Sequence, residues 1–187
     1  MTEWELIQRC REGKTSAFEP LVRAHEGPAL GYAAAMLGDA DEAADALQDA
    51  FVQAYRGLAR LRPNSPFGPW FRTIVRNTCL DRLRSPRLRQ RTALTAAALD
   101  ERTWTEPTAV RSTESMGLTK HLAAALAELP DEQRVTILLR EVEGLSYAEI
   151  ATTLGVPSGT VASRLNHARA ALRERLVARG LGPEDLS

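Results

Sequence analysis

One phrase near the C-terminus limits the fold more than any other part of the chain: LSYAEIATTLGVPSGTVASRLNHARAALRERL. Ser146 and Glu149 have the spacing of a capping box, in which each side chain satisfies the other's orphan backbone amide. The short helix they open stops at Gly155. After the G-V-P turn a longer helix starts near Ser158, with Val161, Leu165, Ala168, Leu172 and Leu176 on one apolar stripe. A capped short helix, a tight turn and a longer helix make the layout of a helix-turn-helix, whose second helix enters the DNA major groove. With the stripe turned inward, Ser163, Asn166, His167 and Ala170 face outward. Arg164 and Arg169 flank that face, Arg173 lies further along, and Ser158 and Thr160 stand at the helix start. A side-chain amide suits an adenine edge, and flanking arginines suit phosphates or guanine. The alternative is a helical hairpin with a solvated arginine face, and the capping box together with the turn favours DNA.

The remaining periodic segments are also helical. Leu21, Ala24, Pro28, Leu30, Ala33, Met36 and Leu37 form an imperfect stripe closed by Gly38. A second helix is predicted from Asp39 or Asp41, acidic in its early turns, with Leu47, Ala50, Phe51, Ala54 and Leu58 on its buried face. The phrase GLARLRPNSP reads as an irregular connection. A third helix is expected from Ser65 or Pro66, suited to N-cap and first-turn positions, to about Arg84. Phe67, Trp70, Phe71, Ile74, Val75, Thr78 and Leu83 are then mostly inward. Residues 86–117 lack sustained periodicity and read as a flexible linker that holds an unexplained Trp104. Beyond it, two more helices are predicted, the first ended by Pro130 and the second, opening with DEQR, by Gly144. Aromatics are only 5% of the chain and β-branched runs are few, as an all-α protein requires.

The net charge of zero conceals a strong asymmetry. Residues 1–61 carry 6 basic and 10 acidic side chains, whereas residues 62–92 carry 8 arginines and one acid, Asp81. An acidic block followed by an arginine-rich one suggests two different partners. On the acidic side, the helix with Leu47 and Phe51 inward presents Asp45, Gln48, Asp49, Val52 and Arg56, a face suited to docking on protein. In the basic block, Arg72, Thr73, Arg76, Asn77 and Arg84 point away from Phe71 and Ile74 and can follow a phosphate backbone. Cys10 and Cys79 fit neither a disulfide framework nor zinc spacing, and the three histidines are scattered, so no metal and no cofactor is expected. No P-loop, GxSxG or HExxH phrase is present, which argues against an enzyme. No run approaches a membrane span and the start lacks an apolar signal core, so a cytoplasmic protein without membrane insertion is expected.

ALAELPDEQRVTILLREVEGLSYAEIATTLGVPSGTVASRLNHARAALRERL resembles region 4 of bacterial sigma factors, the part that reads the promoter −35 element. AFEPLVRAHEGPALGYAAAMLGDADEAADALQDAFVQAYRGLARLRPNSPFGPWFRTIVRNTCLDRLR resembles region 2 of the extracytoplasmic-function (ECF) sigma factors in order and spacing. The resemblance implies a transcription-initiation factor that binds core RNA polymerase and promoter DNA and aids DNA melting. It implies that the A-A-D-A-L-Q-D-A-F phrase, with Asp45, Leu47, Gln48, Asp49 and Val52, meets the β′ clamp helices, and that region 4 meets the β flap. It implies further that the loop Arg62-Pro63-Asn64-Ser65-Pro66-Phe67 captures a base flipped from the −10 element, with Asn64 and Ser65 reading it and Arg62 and Phe67 alongside. Trp70 could stack on a base but sits on the core side. The family commonly carries basic residues where this chain has Ala162 and His167, so its −35 face is less cationic. An anti-sigma factor is a further partner the family admits, although no residue here identifies one.

The expected architecture is two small helical modules, region 2 at 1–85 and region 4 at 118–187, joined by a linker at 86–117. One rival is a DNA-binding regulator that never touches polymerase; another is a protein-interaction module with a redundant helix-turn-helix.

Overall fold

A computed structural model describes residues 1–63, 65–85 and 113–181, with side chains from residue 120 onward in the last stretch. Among them every regular element is helical, and the chain divides into two compact units, Met1–Ala109 and Val110–Ser187.

The first unit opens with α1 (Glu3–Arg11), a helix the apolar pattern did not announce. Its signal was present in T-E-W-E: the Thr2 hydroxyl accepts from the Glu5 amide at 3.2 Å, and the Glu5 carboxylate accepts from the Thr2 amide at 2.9 Å. Leu6, Ile7 and Cys10 bury its inner side. A 3-10 turn (Thr15–Phe18) leads into α2 (Glu19–Leu37), closed by Gly38 at φ +69°, where the left-handed conformation favours glycine. Two residues of the expected α2 stripe lie on the solvent side. Pro28 has no N–H to offer the Ala24 carbonyl, and both residues are exposed, where water can serve instead. The buried set is Leu21, Ala33, Ala34, Met36 and Leu37.

Asp39 caps α3 (Ala40–Gly57), its carboxylate accepting from the Asp41 and Glu42 amides. Ala43, Ala46, Ala50 and Ala54 are fully buried, and side chains this small let α2 and α4 pack closely on α3. A 3-10 turn (Leu58–Arg60) stands in the segment expected to be irregular. Helix α4 (Phe67–Arg84) follows a Pro66 N-cap that has no side-chain capping bond, so Ser65 is not the cap. The unit is centred on aromatic rings: Phe71 stacks on Phe51 at 4.5 Å and on Phe67 at 5.4 Å, and Phe18 meets Phe51, Tyr55 and Phe67 edge-on.

In the second unit, α5 (Thr113–Ala127) starts inside the stretch expected to be linker. Its first turn, T-E-S, is polar and shows no apolar period, although its early acid suits a helix start. Then come α6 (Asp131–Glu141), α7 (Tyr147–Leu154) and α8 (Ser158–Ala178). The Ser146–Glu149 capping box is formed, and Gly155 at φ +68° makes the turn. Val161, Leu165, Ala168 and Leu176 bury the inner stripe of α8, which packs on α5, α6 and α7. Arg134 is 3% exposed and held by the Leu129 carbonyl at 3.0 Å and Asp131 at 2.6 Å, so its charge is compensated inside the unit.

Candidate nucleic-acid and protein interfaces

The outer side of α3 holds Asp45, Gln48, Asp49, Val52 and Arg56, all exposed as the helical pattern requires. Leu47 differs: at 5% exposed it belongs to the core, and only its edge reaches the groove between α2 and α3. Asp49 has a second task, because Arg82 donates to it at 2.6 Å and to Glu42 at 3.0 Å, tying the end of α4 to α3. Desolvation opposes the charged form of Arg82, but the hydrogen bonds and charges of Asp49 and Glu42 outweigh it and hold the pKa up. Beside this face runs an open groove of about 870 Å³ between α2 and α3, with Phe18, Val22, Leu30, Phe51 and Tyr55 in its lining. Val52 on its edge is 49% exposed. Exposed apolar surface next to acidic residues is the chemistry of a protein-docking site.

On α4, Arg72 and Asn77 are exposed, while Arg76 is half-buried with its Nε 3.4 Å from the Asn77 carbonyl oxygen. Arg84 is exposed and meets Asp81 at 3.3 Å. In the preceding loop Arg62 is exposed and Ser65 half-buried; Asn64 and Trp104 lie outside the described residues. Phe67 was expected beside the −10 strand, and the structure corrects this. It is 0% exposed, enclosed by Phe18, His25, Trp70 and Phe71, so no base can reach its ring. Trp70 stays on the core side, covering Gly57, where an added Cβ would sit 3.1 Å from its ring.

On α8, Ser158, Ser163, Asn166, His167, Arg169, Ala170 and Arg173 are exposed, and Thr160 is half-buried. Arg164 is turned to the flank facing α6, where it pairs with Glu132 at 2.5 Å and is 19% exposed. Arg164 thus stands on the flank of the outward strip, where sequence periodicity placed it, with its guanidinium shared with Glu132. Arg169 pairs with Glu141 at 2.8 Å but remains 43% exposed. Hydrogen bonds with Glu141 and then Tyr147 raise its pKa. The outward strip therefore combines an amide, a hydroxyl and an imidazole with two cations, Arg169 and Arg173.

Two protein-family patterns match the chain: sigma-70 region 2 over residues 21–89, which takes in α2, α3 and α4, and sigma-70 region 4 over residues 120–172. Across 181 aligned residues the chain is 34% identical to the RNA polymerase sigma-H factor of Pseudomonas aeruginosa, covering 92% of both chains. It is 36% identical to the ECF RNA polymerase sigma factor SigM of Mycobacterium tuberculosis, over 92% of this chain and 83% of that one. The chain belongs to the ECF sigma factor family. Among solved structures it is similar to the sigma factor RpoE of Bartonella quintana, solved in complex with the anti-sigma factor NepR. The TM-score is 0.52 at 27% identity, covering 85% of this chain and 96% of that one.

Three features of this sigma factor were not visible in its apolar pattern: helix α1, the Arg82 clasp, and Arg11, whose guanidinium reaches across the fold to the carbonyls of Leu58 and Leu61. For α1 the capping box was a usable signal. For the two arginines no local signal exists, since their partners lie 33 to 50 positions away. Among the described residues no group of three His, Cys, Asp or Glu could hold a metal, and no helix is long and apolar enough to cross a membrane. Both cysteines are buried, and burial pushes the Cys79 thiol up to about 12.

Proposed function

We propose that this sigma factor directs core RNA polymerase to a subset of promoters through three surfaces. The α3 face (Asp45, Gln48, Asp49 and Val52) docks on the β′ clamp helices. The 62–66 loop with Arg72, Arg76 and Asn77 binds the opened −10 strand, and the α8 strip (Ser158, Thr160, Ser163, Asn166, His167 and Arg169) reads the −35 element, while the second unit meets the β flap. The protein acts by binding and not by catalysis: melting is driven by capture of an extruded base, whose lost stacking a hydrogen-bonding pocket offsets. The groove beside Val52 also suits an anti-sigma factor, the class of partner with which RpoE was solved.

The observation that carries this reading is the pairing in one chain of two units with different outward faces. One is acidic and apolar on α3 and basic on α4, and the other is a capped helix-turn-helix with Asn166 at the centre of its exposed strip. The test is co-purification with core polymerase followed by transcription from a promoter library. Promoter-dependent transcripts are expected only when the protein is added. DNA binding without core binding would instead identify a regulator that does not touch polymerase.

A further inference from the structure

Arg11, the last residue of α1, is half-buried and spans the first unit. Its Nε and Nη2 donate to the Leu58 carbonyl at 3.0 and 2.7 Å, and Nη2 donates also to the Leu61 carbonyl at 2.5 Å. Its guanidinium lies 5.0 Å from the centre of the Trp4 ring, on the same helix. Leu58 opens, and Leu61 follows, the 3-10 turn that delivers the chain to Arg62, the first residue of the 62–66 loop. The Leu58 carbonyl also accepts the Leu61 amide at 3.1 Å, so the guanidinium uses that oxygen's remaining acceptor capacity, and the planar fork holds it and the Leu61 carbonyl at a fixed angle. The other end of the loop is equally fixed: Phe67 is fully buried, and Trp70 packs over Gly57.

We propose that Arg11 is a positioning residue for promoter melting, holding the carbonyls of Leu58 and Leu61 and so fixing the point from which Arg62 reaches the −10 strand. This rests on the assignment of the 62–66 loop to the −10 strand. A backbone already fixed at Leu61 loses less conformational freedom when Arg62 engages the strand, so less of the binding energy is spent on ordering. Lysine would not replace Arg11 fully, because a single ammonium lacks the fork that serves both carbonyls.

The test uses the full chain assembled with core polymerase. The probe is a labelled single-stranded oligonucleotide carrying the −10 sequence of a promoter recovered by selection. Arg11→Gln is expected to weaken oligonucleotide binding about tenfold, the scale of losing charge-assisted bonds to backbone, with core affinity unchanged. Arg11→Lys should fall between, and hydrogen exchange should accelerate at residues 58–62. Ile7→Val loosens α1 without touching the guanidinium. If Ile7→Val, at a matched loss of thermal stability, weakens the oligonucleotide equally, Arg11 is only a structural tie and the proposal is overturned. Arg62→Ala and Ser65→Ala test the loop itself. If they weaken binding while Arg11→Gln does not, the positioning role fails and the loop assignment stands. If neither changes binding, the loop assignment fails and the proposal falls with it.

Discussion

Replacing Phe67 by alanine separates a core ring from a DNA-contacting one. The ring is 0% exposed, stacks on Phe71 at 5.4 Å and 18°, and lies 5.6 Å from Trp70 and 5.0 Å from His25. Truncating a buried phenylalanine to alanine costs about 3–5 kcal/mol, part lost transfer energy and part residual cavity. A domain of this size loses about 4–8 °C of Tm per kcal/mol, so the first unit's melting temperature should fall by roughly 12 °C or more. Phe67→Leu keeps most of the apolar volume and gives up the ring pairings, worth about 0.5–1.5 kcal/mol each, so its fall should be smaller. Trp4 and Trp70 lie in the first unit, so tryptophan fluorescence in a Trp104→Phe background follows its melting while circular dichroism follows the whole chain. A fall under about 4 °C, accompanied by loss of −10 strand binding, would place the ring at the DNA and refute the burial argument.

Asp45→Arg reverses a charge on the exposed face of α3 and should weaken core-polymerase affinity several-fold with helicity unchanged; unaltered affinity in a titration with labelled core would reject that face. Asn166→Ala should relax preference at one −35 base pair, a discrimination of about 1–3 kcal/mol, whereas Arg169→Ala should weaken all sequences and lower the salt slope by about one unit. A promoter-library selection on both variants checks this, and identical −35 preferences for Asn166→Ala would rule out the assigned strip. Hydrogen bonds from the Ser146 hydroxyl and amide hold the Glu149 carboxyl below its ordinary value. The depressed pKa means that the cap's stabilisation is present above the unfolded-state pKa and lost as pH falls through the folded-state value. Ser146→Ala removes the hydroxyl but keeps the amide, so an NMR titration should show the Glu149 pKa rising part of the way toward its ordinary value, and an unmoved titration would contradict the hydroxyl's role.

Local periodicity and caps determined much of this protein. The stripe Val161, Leu165, Ala168, Leu176 and the box Ser146–Glu149 define a helix-turn-helix within about thirty residues, because caps and the 3.6-residue period are properties of neighbouring positions. The same logic placed Asp45, Gln48 and Val52 outward on α3. Periodicity says which side of a helix is apolar, but not where the next helix will lie against its margins. Leu47 lies in the buried arc of α3 where periodicity put it, but Arg164 stands near the margin of the α8 stripe, and only packing brings Glu132 of α6 to it. Periodicity turned Phe67 inward and only the family resemblance set it beside the −10 strand; the rings of Phe18, Phe71 and Trp70 hold it in the core. Arg11 and Arg82 carry no local pattern at all. Their partners are carbonyls and carboxylates brought close only once α1, α3 and α4 pack, so tertiary structure alone gave those two arginines their roles.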